Sequence, residues 1–371
     1  MLLNAEKVVD NDLNFICNRL EDEFSSMQGK RLFISGGAGF LGYYLIQSVR
    51  HWNRTRAGAN LIRLIVCDNY IRGIPEWLTN ISTDSSITIL KHDITAPLPS
   101  AAGKLDFIVH AASIASPTFY RKYPIETMDA NVQGLRLLLD RCRTQQATGD
   151  PVLGFLFFST SEIYGDPTPD QIPTPETYRG NVSCTGPRAC YDESKRFGET
   201  LCVNFARQFN LPVTMARPFN NYGPGLKITD RRVIPDFARD LFAGNDLILL
   251  SDGSPTRTFC YVADAVVGYY KILVRGRSAE AYNIGNELPE ISMLALAELL
   301  VKIAHAEFGY GGKVVRNESQ EKEYLTDNPQ RRCPNIAKAR EQLGFEPEVP
   351  IEEGLRRTLF WYRDNQRAED A

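Results

Sequence analysis

Histidine is scarce in this chain, and the scarcity removes whole classes of chemistry. Only four histidines occur in 371 residues. His51, His92, His110 and His305 fall at no metal-ligand spacing, so no metal centre is expected. No Gly-x-Ser-x-Gly elbow is present, which removes the common serine-hydrolase arrangement. The eight cysteines, scattered from Cys17 to Cys333, include no Cys-x-x-Cys pair and suit reduced thiols in a cytoplasm. A net charge of −3 leaves no basic excess for nucleic acid or an anionic membrane surface. No apolar run approaches the roughly 18 residues of a membrane span. Residues 1–30 are acidic and amphipathic, without the basic-then-apolar order of a leader. What is left, at 43% hydrophobic and 23% charged residues, is the composition of a soluble globular protein with an ample core.

The order of elements then becomes informative. Residues 11–26 put Leu13, Ile16, Leu20 and Phe24 at helical spacing, after Asn11 or Asp12 as a cap, and predict a helix packed on the domain surface. A buried-strand pattern over 30–35 runs into Gly36-x-x-Gly39-x-x-Gly42, a loop that also holds Phe40 and Leu41, and a helix follows over 43–52. Strand, glycine turn and helix in that order form a dinucleotide cradle, because glycines let backbone N–H groups approach a pyrophosphate at a positive helix end. The next strand, 61–67, ends at Asp68. A carboxylate there accepts hydrogen bonds from a ribose and repels a 2′-phosphate, which favours NAD over NADP, with Arg72 nearby as a moderating charge.

Strand patterns recur at 87–90, before Asp93 and Ile94, and at 105–110, before the small residues Ala111, Ala112 and Ser113. A helix is predicted over 124–143, and an apolar strand over 153–158 ends at Ser159, Thr160, Ser161 and Glu162. Alternating strands and helices predict an α/β fold, a doubly wound parallel Rossmann sheet whose strand C-termini carry the site. A long loop to Pro187 precedes a helix over 189–209 that carries Tyr191 and Lys195, and a further strand spans 211–216. Four residues apart on a helix, this phenol and amine share one face, and an ammonium beside a phenol favours the phenolate needed to move a proton. The organisation expected is an N-terminal helical arm (1–29), a dinucleotide-binding domain (30–217) and a smaller substrate lobe (218–371), with 257–285 returning to the sheet.

These elements occur together and in order, joined by Arg217-Pro218-Phe219-Asn220 and Asn283-Ile284-Gly285-Asn286. In that combination the chain resembles the extended short-chain dehydrogenase/reductase family of NAD-dependent nucleotide-sugar enzymes, over residues 31 to about 362. Three stretches resemble its UDP-glucuronate decarboxylase branch: residues 186–196 around Tyr191, residues 159–167 around Glu162, and Asp327-Asn328-Pro329-Gln330-Arg331-Arg332. The family's 4,6-dehydratases carry an aspartic acid where Ser161 stands, and its 4-epimerases usually lack the glutamate at Glu162. Two positions depart from the branch: the loop 114–120 is less proline-rich, and Gly225 stands where an arginine is usual.

The resemblance implies an NAD site of Gly36, Gly39, Phe40, Leu41, Gly42, Asp68, Asn69, Asp93, Ile94 and Ala111 to Ser113, with Tyr191 and Lys195 reaching both ligands. It implies catalytic roles for Thr160, Glu162, Tyr191, Lys195 and Arg332. Substrate contacts are implied at Ser161, Asn220, Arg232, Arg257 and Arg332, the arginines matching phosphate or carboxylate oxygens in pairs. The expected reaction is decarboxylation of UDP-glucuronate to UDP-xylose through a 4-keto intermediate, by a cytoplasmic homodimer serving polysaccharide biosynthesis. A 4-epimerase, a 4,6-dehydratase, and a non-enzymatic NAD and nucleotide-sugar sensor stay open as alternatives.

Overall fold

In the computed structural model, residues 3–317 and 329–365 are described. Seven strands build the central sheet: β1 (Arg31–Ser35), β2 (Arg63–Asp68), β3 (Ile87–Lys91), β4 (Phe107–His110), β5 (Gly154–Phe158), β6 (Val213–Pro218) and β7 (Ala281–Ile284). Their order is β7-β6-β5-β4-β1-β2-β3, and every pairing is parallel. Helices cover both faces, so the inner strands read as near-continuous apolar runs, and all five residues of β5 are buried. The strand order reverses beside β1 and β4, which opens a crevice at their carboxyl ends.

The helices that frame this crevice or brace the sheet behind it are α1 (Ala5–Arg19), α2 (Glu21–Met27), α3 (Phe40–Thr55), α4 (Leu135–Ala147), α5 (Ala189–Phe209), α6 (Val262–Arg275) and α7 (Ile351–Asn365). The segment around α6 and β7 returns to the sheet, β7 pairing with β6 from Ala281 opposite Met215 to Ile284 opposite Pro218. A separate three-stranded sheet sets Thr256–Arg257 between Ile291–Ser292 and Arg331–Arg332, with Arg332 in register with Arg257.

Two elements differ from the sequence pattern. The helix expected over 11–26 starts earlier and breaks at Leu20, giving α1 and α2. That break lets Leu13 and Ile16 on one side, and Phe24 and Met27 on the other, all enter the same core. α1 and α2 therefore pack against the fold, α1 lying against α3, α6 and α7. Asp12 is fully buried at this junction, accepting from Tyr44 at 2.6 Å and Tyr261 at 2.5 Å and pairing with Arg357 at 2.8 Å. The helix expected over 124–143 is likewise interrupted, by a π-turn over Ala130–Gly134 between Pro124–Asp129 and α4. His110 Nε2 lies 3.1 Å from the Ala130 carbonyl, and the Asn131 amide donates to Ser194 Oγ at 2.9 Å, so groups from the site side hold this bulge.

Candidate active site

A cleft of about 1640 Å³ opens at the carboxyl ends of the sheet strands, lined also by Arg257 and Arg332 of the three-stranded sheet. Every residue singled out from the sequence as a site residue lines it. Asp327 and Asn328 lie outside the described residues.

The floor is the glycine cradle. Gly36 has φ +72°, and a Cβ there would sit 2.6 Å from the backbone of Ala112, so the glycine is what lets β1 and β4 release their loops side by side. Gly39 opens α3 with no side-chain cap, which leaves the first-turn N–H groups for a ligand. Asp68, at the end of β2, accepts from Ala38 N at 3.0 Å and Tyr70 N at 2.8 Å; burial nonetheless raises its carboxyl above the ordinary range. Burial alone would raise Asp93 too, but bonds from Asn69 Nδ2 at 2.9 Å and from Thr95 outweigh it and hold this carboxyl below the ordinary range. A diphosphate at the helix start and a ribose at Asp68 fit this cradle. Arg72, which also lines the cleft, stacks 3.5 Å from the Phe119 ring centroid and lies 3.8 Å from Asp230.

One wall carries the proton-transfer pair. Tyr191 and Lys195 lie one turn apart on α5, both buried. Tyr191 bonds Thr160, yet burial pushes its phenol well above the ordinary value. Lys195 donates to the Phe158 carbonyl at 2.7 Å, and its Nζ is 5.8 Å from the Tyr191 ring centroid. Burial lowers the Lys195 ammonium to about 7. Desolvation thus penalises the phenolate and the ammonium alike. His110, buried behind it, is pushed down to about 3 by burial and by Lys195, so it stays neutral.

A second wall is a carboxylate gripped by arginines. Thr160 caps the turn after β5, and Glu162 follows it. Both oxygens of Glu162 are held by the Arg332 fork, one at 2.6 Å, and the guanidinium of Arg188 bonds the same carboxylate. Burial alone would raise this acid, but Arg188, Arg332 and Arg257 together bring it to about 2. Arg257 is pushed down to about 9, first by burial and then by Arg332. Its guanidinium donates to the carbonyls of Thr256 and Pro329, each at 2.7 Å. Arg332 Nε is buried and finds no protein acceptor among the described residues. Arg232 pairs with Asp230 and lies 5.7 Å from the Phe40 ring, while Asn220, at φ +42°, donates to the Thr258 carbonyl at 2.8 Å.

Arg188 was missed as a site residue. It sits in the stretch that resembles the decarboxylase branch, but no local spacing links it to Glu162, 26 residues away. Tyr120, whose ring stacks on Tyr191 with centroids 5.1 Å apart and planes 8° apart, was missed for the same reason.

Comparison with known proteins agrees with this geometry. The chain is 37% identical to UDP-glucuronic acid decarboxylase 3 of Arabidopsis thaliana over 325 residues, covering 88% of this chain and 86% of that one. It is 35% identical to UDP-glucuronic acid decarboxylase 1 of Xenopus tropicalis over 340 residues, covering 91% and 73%. Among solved structures, a dTDP-glucose 4,6-dehydratase of Streptomyces venezuelae with NAD and TYD bound superposes with a TM-score of 0.76 at 26% identity, covering 91% of this chain and 98% of that one. A family model matches residues 32–285. With a glycine cradle, a Tyr–Lys pair on α5 and this match over most of the sheet, the chain belongs to the NAD dependent epimerase/dehydratase family.

Proposed function

We propose that this protein is an NAD-dependent decarboxylase that converts UDP-glucuronate to UDP-xylose through a 4-keto sugar. The observation that carries the reading is Glu162 gripped by Arg188 and Arg332, beside a buried Tyr191 and Lys195. A substrate with a carboxylate at C5 needs a cationic wall next to the oxidation site, and this cleft has one. The names of the relatives support the same substrate.

The glycine cradle, Asp68 and Asp93 would hold the dinucleotide; when bound, the cofactor supplies reversible hydride exchange at C4 of the sugar. Tyr191, as the phenolate beside the Lys195 ammonium, takes the C4 hydroxyl proton, and Thr160 shares its hydrogen bond. Once C4 is a ketone, the protonated Tyr191 and Thr160 donate to its oxygen. The same two hydroxyls then stabilise the enolate that forms as C5 releases CO₂. Arg332, whose Nε has no acceptor among the described residues, orients the departing carboxylate, and Arg257 and Arg232 meet the diphosphate. Glu162, held at about 2, is an anion at neutral pH. With Arg332 it would orient the sugar carboxylate and a water that protonates C5.

Two exposed apolar side chains, Ile125 and Phe197, lie on the paired helices Pro124–Asp129 and α5 and support assembly as a homodimer. Eight free thiols support a reducing, cytoplasmic setting, and a UDP-pentose would serve as a glycosyl donor for polysaccharide biosynthesis. The deciding experiment is incubation of the purified protein with UDP-glucuronate and no added reductant. Release of CO₂ with formation of a UDP-pentose is expected. An intact six-carbon 4-epimer as sole product would make the enzyme an epimerase, and bound NAD without turnover would make it a sensor.

A further inference from the structure

The loop after β2 and the loop that leads to Arg232 meet through one shared carboxylate. Asp230 lines the cleft, and its side chain is only 9% exposed. One of its oxygens pairs with Arg232 Nε, and the other lies 3.8 Å from Arg72 Nη2. Its carbonyl accepts from the buried Ser116 hydroxyl at 2.7 Å, and its N–H donates to the Lys227 carbonyl at 3.0 Å. Lys227 closes the circuit, donating from its ammonium to the Arg72 carbonyl at 3.1 Å. Arg72 is held in turn. Its guanidinium lies 3.5 Å from the Phe119 ring centroid, and Gly73 N donates to Tyr70 O at 2.9 Å to close the turn that carries it. Tyr70 N donates to Asp68, the carboxylate placed for the ribose of the dinucleotide.

Two cations on one carboxylate behave differently from a simple pair. With Arg232 as its sole partner, Asp230 would neutralise the guanidinium that is to meet a diphosphate, and a neutralised cation attracts phosphate weakly. Arg72 takes up the second oxygen, so two guanidinium groups face one carboxylate and a positive charge is left for the ligand. Lys227 and Arg231 add positive charge along the same loop, and both line the cleft. Arg72 is the cation that arrives from the cofactor side.

Resting on the assignment of Arg232 to the diphosphate, we infer that Arg72 is a positioning residue for the nucleotide sugar, acting through Asp230 to set Arg232. Its part lies in binding and not in the chemical steps. The loop that delivers it is anchored on Asp68, so the loop that receives the dinucleotide also helps to build the site for the sugar diphosphate. The charge that stands in the sequence as a moderator of NAD preference is thereby directed to the other ligand.

The test measures UDP binding to the NAD-loaded full-length protein by titration calorimetry, with steady-state turnover of UDP-glucuronate alongside. Arg72→Met removes the charge and keeps much of the side-chain length, and it should weaken UDP binding about fivefold. The loss should appear in KM for UDP-glucuronate and not in kcat. Arg72→Lys restores a cation and should bring the affinity back to within about twofold of wild type. Asp230→Asn breaks the relay, so in that background Arg72→Met should weaken UDP by less than about twofold more. The same fivefold loss in both backgrounds would mean that Arg72 does not act through Asp230, and would overturn the proposal. Wild-type affinity in Arg72→Met, or a fall in kcat with KM unchanged, would overturn it equally. Arg232→Met checks the underlying assignment and should weaken UDP about 30-fold. Unchanged affinity there would remove the diphosphate reading, and with it the proposal, before Arg72 is considered. UDP binding is read without turnover, so a failure of the decarboxylase reading is seen separately, as the absence of CO₂ from wild type.

Discussion

The two walls of the cleft handle buried charge in opposite ways. At the Glu162 wall the carboxylate is matched by arginines from two other parts of the chain, and its ionised form is favoured so strongly that it stays charged down to about pH 2. At the Tyr191 wall a single ammonium, Lys195, rests on one backbone carbonyl, and burial brings it to about 7. The first wall is built to keep its charges and the second to let one go. A substrate-orienting surface needs permanent ions, whereas a proton-transfer pair needs charges that cost little to move.

The largest effect should come from the second wall. Tyr191→Phe removes the group placed to take the C4 proton, so kcat with UDP-glucuronate should fall by about 10³-fold or more while NAD stays bound. Because oxidation precedes decarboxylation, CO₂ release and reduced-cofactor formation should fall together. Reduced cofactor forming at the wild-type rate would break the assignment of that wall to the first step.

Glu162→Gln should do the reverse. It leaves Arg188 and Arg332 buried with no carboxylate between them, and stripping one partner from a buried ion pair typically costs about 3–5 kcal/mol. Tm should fall by several degrees, and CO₂ release should slow while reduced cofactor still forms. The pH dependence has a definite sign. Folded Glu162 is more acidic than its ordinary value of 4.5, so its stabilisation is complete above that value and is lost as pH falls through about 2. Urea midpoints measured from pH 5 to pH 2 should converge between wild type and variant. A gap that persists at the acid end would show that the arginines do not depend on this carboxylate.

Lys195→Met should abolish turnover and yet stabilise the fold. Folded Lys195 loses its proton near 7 and the unfolded residue near 10.5, so between those values the unfolded state binds more protons and stability rises with pH. The cost of burying the ammonium is fully present below about 7 and gone above about 10.5. The variant should therefore melt higher than wild type at pH 6, on the order of 2 °C, with the gain closing toward pH 10. Differential scanning calorimetry across that range checks it, and a variant less stable at pH 6 would mean that Lys195 is structurally paired.

The same contrast explains what could be read from the amino-acid order. Tyr191 and Lys195 are neighbours on one helix, Gly36 to Gly42 follow each other in one loop, and Thr160 to Glu162 end one strand. Local spacing is visible in a sequence, and so was the alternating order that makes the sheet. The arginine wall depends on tertiary closure. Arg332 meets Glu162 across 170 residues, and only the resemblance to known enzymes pointed to it. Arg188 lay inside a stretch resembling the decarboxylase branch, but no spacing tied it to Glu162, and Tyr120 had no spacing to mark it. One N-terminal helix and its packing face of Leu13, Ile16, Leu20 and Phe24 were legible, but the break at Leu20 and the buried Asp12 were not. Burial of Asp12 depends on Tyr44, Tyr261 and Arg357, which are distant in sequence.

Asp12 offers the smallest but sharpest variation on the comparison. Like Glu162 it is a buried carboxylate beside an arginine, but its other two partners are neutral phenols, and burial wins: its carboxyl is raised to about 6. Between its ordinary value of 3.8 and about 6 the folded state binds more protons than the unfolded one, so this residue makes stability fall as pH rises through that window. Asp12→Asn stays neutral and retains a carbonyl that can accept from Tyr44 and Tyr261. Arg357 keeps Glu353 at 2.7 Å. At pH 7 the substitution should therefore change stability by no more than about 1 kcal/mol, and it should flatten the slope between pH 4 and 6. The same carboxylate-to-amide exchange would then be severe at Glu162 and mild at Asp12, because two guanidinium groups share the first carboxylate and one faces the second. An equally large loss at Asp12 would show that burial depth, and not the number of arginines, sets the cost.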